Sequence, residues 1–143
     1  SVKTIAGDRD FKDLIVLVAD DSAVSRNQVK RSLSSIGIEV ELVNDGKLAL
    51  DWLNAKAEEL GGDISDKVPL LISDIEMPEM DGYTLTAEIK AEPKLRNMHV
   101  ILHSSLSGVF NEAMVKKVGA DQFIAKFHPD ELVSAVQKWM LED

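Results

Sequence analysis

Five short apolar runs, residues 14–19, 38–43, 69–72, 100–102 and 122–125, alternate with five amphipathic stretches along this chain. The runs are rich in β-branched residues and bounded by turn formers or charges, as strands buried on both faces require. Between them apolar residues recur at helical spacing. Val29, Leu33 and Ile36 mark the first helix, and Leu48, Ala49, Trp52, Leu53 and Leu60 the second. Leu85 and Ile89 mark a shorter third, which Pro93 follows. Phe110, Met114 and Val118 mark the fourth, closed by Gly119. Leu132, Val136, Trp139 and Met140 mark the last, with Pro129 at its first position and Asp130-Glu131 in the positive first turn. Five such strand–helix units with right-handed crossovers predict an α/β fold, a doubly wound open parallel sheet with helices on both faces.

Asn44-Asp45-Gly46 has the composition of a hairpin turn, but a helical stripe follows it, so it reads as a strand-to-helix loop whose Asn or Asp caps the helix. Residues 61–68 form the one long connection and are expected to be mobile. Residues 1–12 carry no periodicity and read as a linker or the tail of an upstream domain, leaving 13–143 as the folded domain. Ser1 in place of Met fits an excised domain. A net charge of −9, from 25 acidic and 16 basic residues, repels phosphate backbones and argues against nucleic acid as a partner. The absence of cysteine excludes disulfides, a thiolate nucleophile and thiolate-ligated metals. No apolar run approaches the roughly 20 residues that span a bilayer.

The chemistry gathers at the strand ends. Asp20 and Asp21 close the first run, Asp74 the third, Ser104 the fourth and Lys126 the fifth. In an open α/β sheet these positions share the rim where ligands bind. Two like charges about 4 Å apart repel by roughly 4 kcal/mol at an effective dielectric near 20. Three clustered carboxylates therefore call for a shared cation or a retained proton. A hard divalent ion with oxygen ligands, Mg²⁺ above all, removes the penalty. Asp74 can then act as a nucleophile towards phosphorus, with Lys126 as a point charge and Ser104 as a hydroxyl donor for phosphoryl oxygens. Taken singly, each residue has a plainer reading: a helix cap for Asp20-Asp21, a turn residue for Asp74, a solvated lysine, a loop serine. Their joint order along the chain favours the site. His99, His103 and His128 lack metal spacing and read as strand-end or loop residues, Trp52 and Trp139 as core, and Lys116-Lys117 as a solvated helix end.

At Val18-Ala19-Asp20-Asp21-Ser22, Ser73-Asp74-Ile75-Glu76-Met77-Pro78-Glu79-Met80-Asp81-Gly82, Ser104-Ser105, Gly119-Ala120-Asp121 and Lys126 the chain resembles the receiver domain of two-component response regulators. The match covers roughly residues 13 to 142. It implies a flavodoxin-like sheet of order 2-1-3-4-5 and a cytoplasmic phosphoprotein that takes a phosphoryl group from a histidine kinase with Mg²⁺, or Mn²⁺, as cofactor. It also implies roles: Asp74 as phosphoacceptor; Asp20, Asp21, Asp74 and the backbone carbonyl of Glu76 as metal ligands; Lys126 and Ser104 as phosphoryl contacts; Ser104 and Phe123 as switch residues. Such a domain is regulatory, catalysing only its own phosphorylation and dephosphorylation. Two positions depart from the family: Phe127 stands where a proline usually follows the lysine, and Glu76 lies where side chains tune dephosphorylation. The segments Leu102-His103-Ser104-Ser105-Leu106-Ser107-Gly108 and Lys126-Phe127-His128-Pro129-Asp130-Glu131-Leu132 are most similar to the C-terminal receiver of CheV-type chemotaxis coupling proteins. That likeness implies chemotaxis signalling partners and a CheW-like adaptor domain upstream. A phosphorylation-independent docking module is the alternative. A metal-dependent phosphohydrolase ranks lower, since Glu76 stands where that chemistry wants an aspartate.

Overall fold

The computed structural model describes residues 13–105 and 111–141. The chain runs β1 (Ile15–Ala19), α1 (Ala23–Ser34), β2 (Glu39–Val43), α2 (Gly46–Leu60), β3 (Leu70–Ser73), α3 (Gly82–Ala91), β4 (His99–Ser104), α4 (Glu112–Val118), β5 (Gln122–Ala125) and α5 (Pro129–Leu141). All neighbouring strands pair in parallel in the order β2-β1-β3-β4-β5, which is the predicted α/β architecture. The expected linker at 1–12 and the helical position of Phe110 lie outside the described residues.

Strand alternation divides the core into two layers. Ile15, Leu17 and Ala19 of β1 face α2 and α3, packing with Ala49, Leu53, Leu85 and Ile89. Val16 and Val18 face the other way, onto Val29 and Leu33 of α1 and Leu132, Val136 and Met140 of α5. β1 and β3 are buried along their full length, whereas β2 is an edge strand with alternating exposure, because only one neighbour covers it.

Local signals hold at the helix ends. Asp45 is the N-cap of α2 and its carboxylate accepts the Leu48 N–H at 2.8 Å. Gly119 ends α4 in the left-handed region at φ 85°. The connection at 61–68 is not loose. It contains a 3₁₀ turn at Ile64–Asp66. Ile64 and Val68 are buried in the core, and Asp63 accepts the Asn97 amide at 2.6 Å. Three residues of the helical stripes turn outward: Leu48 is 46% exposed, Leu60 45% and Trp139 41%. Trp139 is therefore not core. Its ring stacks on His99, the first residue of β4, with centroids 4.2 Å apart. Trp52 is partly buried against the core, with the Lys56 ammonium 5.4 Å from its ring.

Candidate functional site

The register aligns the strand ends. Ala19 pairs with Val43 and with Ser73, and Ser104 pairs with Ala125. The ladder continues one residue further: the Asp74 N–H donates to Ala19 O at 2.8 Å and the Lys126 N–H to Ser104 O at 2.9 Å. Asp20, Asp74 and Lys126 are thus fixed by backbone hydrogen bonds at the crevice where the strand order reverses, between β1 and β3.

Carboxylate oxygens of Asp20, Asp21 and Asp74 all lie within 4.8 Å of one another. Asp20 and Asp74 are buried and Asp21 is exposed. The Lys126 ammonium sits 2.9 Å from Asp20 Oδ2 and 3.3 Å from Asp74 Oδ2. One cation among three acids leaves a net negative cluster, and the titration of Asp74 reflects it. Burial, then the Asp20 charge, push the Asp74 carboxyl above the usual range, against the pull of Lys126. Burial alone would lower Lys126, but the hydrogen bond and charge of Asp20, with Asp74 behind them, hold its ammonium above the ordinary value. An all-oxygen donor set with surplus negative charge fits a hard divalent ion and suits neither a thiolate nor an imidazole metal. Glu76 borders the same opening, a cleft of about 370 Å³ lined also by Asp21, Asp74, Met77, Pro78, Ser104, Ser105 and Lys126.

Ser104 is buried beside this cleft, its hydroxyl donating to the Ser105 carbonyl at 3.2 Å. Phe123 lies one strand over, partly buried against the α2–α3 layer of the core. Three contacts were not foreseen from sequence. The Ser25 hydroxyl donates to Asp20 Oδ2 at 2.6 Å, the Arg26 guanidinium to the Asp20 carbonyl at 2.7 Å, and the Asn111 N–H to the Tyr83 hydroxyl at 3.0 Å. Ser25 and Arg26 had one available signal: the first turn of a helix entered directly after Asp20-Asp21 returns over the rim.

The family of response regulator receiver domains matches residues 16–137. The chain belongs to that family. The receiver is 30% identical over 123 residues to the chemotaxis protein CheV3 of Helicobacter pylori, covering 86% of this chain and 40% of that protein. It is 34% identical over 126 residues to protein PilG of Pseudomonas aeruginosa, covering 87% and 85%. Among solved structures it resembles the response regulator TrrA of Thermotoga maritima in complex with Mg²⁺-BeF, with TM-score 0.69 and 28% identity over 87% and 97% of the two chains. The receiver thus spans well under half of the CheV3 length. No helix among its described residues is long and apolar enough to cross a membrane.

The departure at 127 has a backbone basis. Phe127 adopts φ 71° and is 76% exposed, while no cis peptide bond occurs among the described residues. Proline holds φ near −65° and cannot adopt this conformation. Restoring the family's usual residue should therefore harm this receiver: Phe127→Pro is expected to lose about 1–3 kcal/mol. A lowered urea midpoint at unchanged slope is the expected reading, and a midpoint equal to wild type would contradict it.

His103 completes the picture on the other sheet face. It is buried against the α1–α5 side, beside Val29, Ser32 and Leu132. Burial, and then the nearby Lys126 charge, lower its pKa to about 4, so the imidazole is neutral at physiological pH. It stands at the end of β4, as the sequence suggested, and is buried there.

Proposed function

We propose that this receiver accepts a phosphoryl group on Asp74 from the phosphohistidine of a histidine kinase and thereby switches the surface built by α4, β5 and α5. The observation that carries this reading is the buried Asp74 carboxylate at the floor of an open cleft, 3.3 Å from the Lys126 ammonium and clustered with two further acids. In the transfer, Asp74 forms the new O–P bond as the P–N bond of the donor breaks, and the imidazole leaves with the electron pair. Asp20, Asp21, Asp74 and the Glu76 carbonyl would hold Mg²⁺, or Mn²⁺, which when bound supplies positive charge against the acids and the phosphoryl oxygens. Lys126 meets one phosphoryl oxygen as a fixed charge, and Ser104 donates to another.

Engaging Ser104 draws its hydroxyl away from the Ser105 carbonyl, and the vacated space admits the Phe123 ring. That is a population shift between two packings of one element. The names of the CheV relatives support a place in chemotaxis signalling, and a cytoplasmic location goes with that reading. There, residues 1–12 would link this receiver, residues 13–143, to a CheW-like adaptor domain.

The test is labelling by a small donor. Acetyl phosphate with Mg²⁺ should add one phosphoryl mass to the chain, removable by hydroxylamine as an acyl phosphate is, and chelation should abolish the uptake. A chain that stays unlabelled at Mg²⁺ concentrations that raise its unfolding temperature would overturn the proposal.

A further inference from the structure

The three acids of the rim are not equivalent. Asp20 is 2% exposed and its carboxylate already takes three donors. Oδ1 accepts the Ser22 N–H at 2.9 Å, while Oδ2 accepts the Ser25 hydroxyl at 2.6 Å and the Lys126 ammonium at 2.9 Å. An ionised carboxylate offers about four lone-pair sites. Oδ2 is therefore filled, and one site on Oδ1 remains. Asp21, by contrast, is exposed and takes no hydrogen bond among the described residues, and Asp74 Oδ1 accepts only the Ile75 N–H at 2.8 Å. One acid is held rigidly, while its neighbours keep lone pairs to give.

We propose that Ser25 is a positioning residue for the cation site: its hydroxyl fixes the Asp20 carboxylate so that Oδ1 stays available to a divalent ion or to water bound on it. The inference rests on the cation site proposed above. Its logic is a competition for Oδ2. With the Ser25 hydroxyl in place, Lys126 and Ser25 share Oδ2 and oppose rotation of the carboxylate. Without it, the ammonium is the sole side-chain partner, and turning the carboxylate lets both oxygens face that charge. Oδ1 is then spent on Lys126. Strand parity supports the assignment, because Asp20 continues the alternation that points Val16 and Val18 at α1, the helix that carries Ser25.

Outer groups that orient metal ligands typically change affinity by about 10–100-fold when removed. Ser25→Ala should accordingly weaken Mg²⁺ binding to the unphosphorylated chain by about tenfold or more, read by titration calorimetry well below the unfolding temperature. Ser25→Thr keeps the hydroxyl and should retain wild-type affinity, which a merely structural loss in α1 would not predict. Wild-type affinity in Ser25→Ala, or equal weakening in Ser25→Thr, would overturn the role of Ser25 and leave the cation site standing. Absence of Mg²⁺ binding to the wild-type chain would overturn the cation site and this inference together.

Discussion

Asp74→Asn should take up no phosphoryl group from acetyl phosphate, yet unfold at a higher temperature than wild type in metal-free buffer. The first half follows from chemistry: a carboxamide oxygen is a far weaker nucleophile than a carboxylate and cannot give an acyl phosphate. The second half follows from electrostatics. Asp74 is buried beside Asp20, and burial followed by that like charge raises its pKa in the folded chain. A group with a raised folded pKa contributes stability that is fully present below its unfolded pKa and lost as pH rises through the folded value. At a pH where Asp74 is ionised, wild type carries that loss and the asparagine variant does not. The variant should show a net gain, because Lys126 keeps its 2.9 Å contact to Asp20 and is not left unpaired. It should shrink as pH falls through the raised pKa of Asp74 towards the ordinary aspartate value of 3.8. Added Mg²⁺ should reverse the order, since ligand binding stabilises the chain that keeps the full acid set. Thermal melts at several pH values, with and without Mg²⁺, read all of this. A variant less stable than wild type in metal-free neutral buffer would place the cost of the acid cluster elsewhere.

How far the sequence led depended on how local each signal is. Apolar runs and cap residues are local, and they located each described strand, a cap at Asn44 or Asp45 and Gly119 as a terminator. Strand-end placement then gathered Asp20, Asp21, Asp74, Ser104 and Lys126 on one rim, which the parallel register realises. The order of strands came only through the family resemblance, because periodicity says which face is buried and nothing about which strand is the neighbour. Exposure of Trp139 was illegible for a similar reason. The helical stripe assigns it to the core, but His99 at the start of β4 offers a ring to stack on at the periphery. The quiet environment of 61–68 was hidden in two apolar residues, Ile64 and Val68, whose burial pins a connection that composition alone describes as loose. Ser25 was missed because serine in a first helical turn is ordinary. Only its distance to Asp20 makes it chemical.

Gly82→Ala should be among the most damaging single-methyl additions in this domain, although helix propensity predicts the opposite sign. Gly82 opens α3, and alanine gains up to about 1 kcal/mol over glycine in a helix, the full amount only in the interior. Its Cβ, however, would run into the Asp74 carbonyl oxygen and lie 3.0 Å from Ile75 Cα. Both obstacles are backbone, so neither can swing aside as a side-chain tip does. The Gly82 N–H also donates to Ile75 O at 2.7 Å, and the Ser73 hydroxyl holds the Asp74 carbonyl at 2.8 Å, which leaves this turn no slack. Overpacking of this kind costs about 1–3 kcal/mol and at times more, enough to outweigh the propensity gain. The displaced backbone carries Asp74, the proposed phosphoacceptor, whose Oδ1 is set by the Ile75 N–H. A misplacement of about 1 Å can reduce a positioned reaction by 10²-fold. Gly82→Ala is therefore expected to lose about 2 kcal/mol by urea unfolding and to slow acetyl phosphate labelling at least about tenfold. Gly62→Ala is the matched control, for its Cβ meets nothing within 4 Å. Equal stability and equal labelling rates in the two variants would show that the turn after Asp74 yields freely, and that close packing of Gly82 does not hold Asp74 in place.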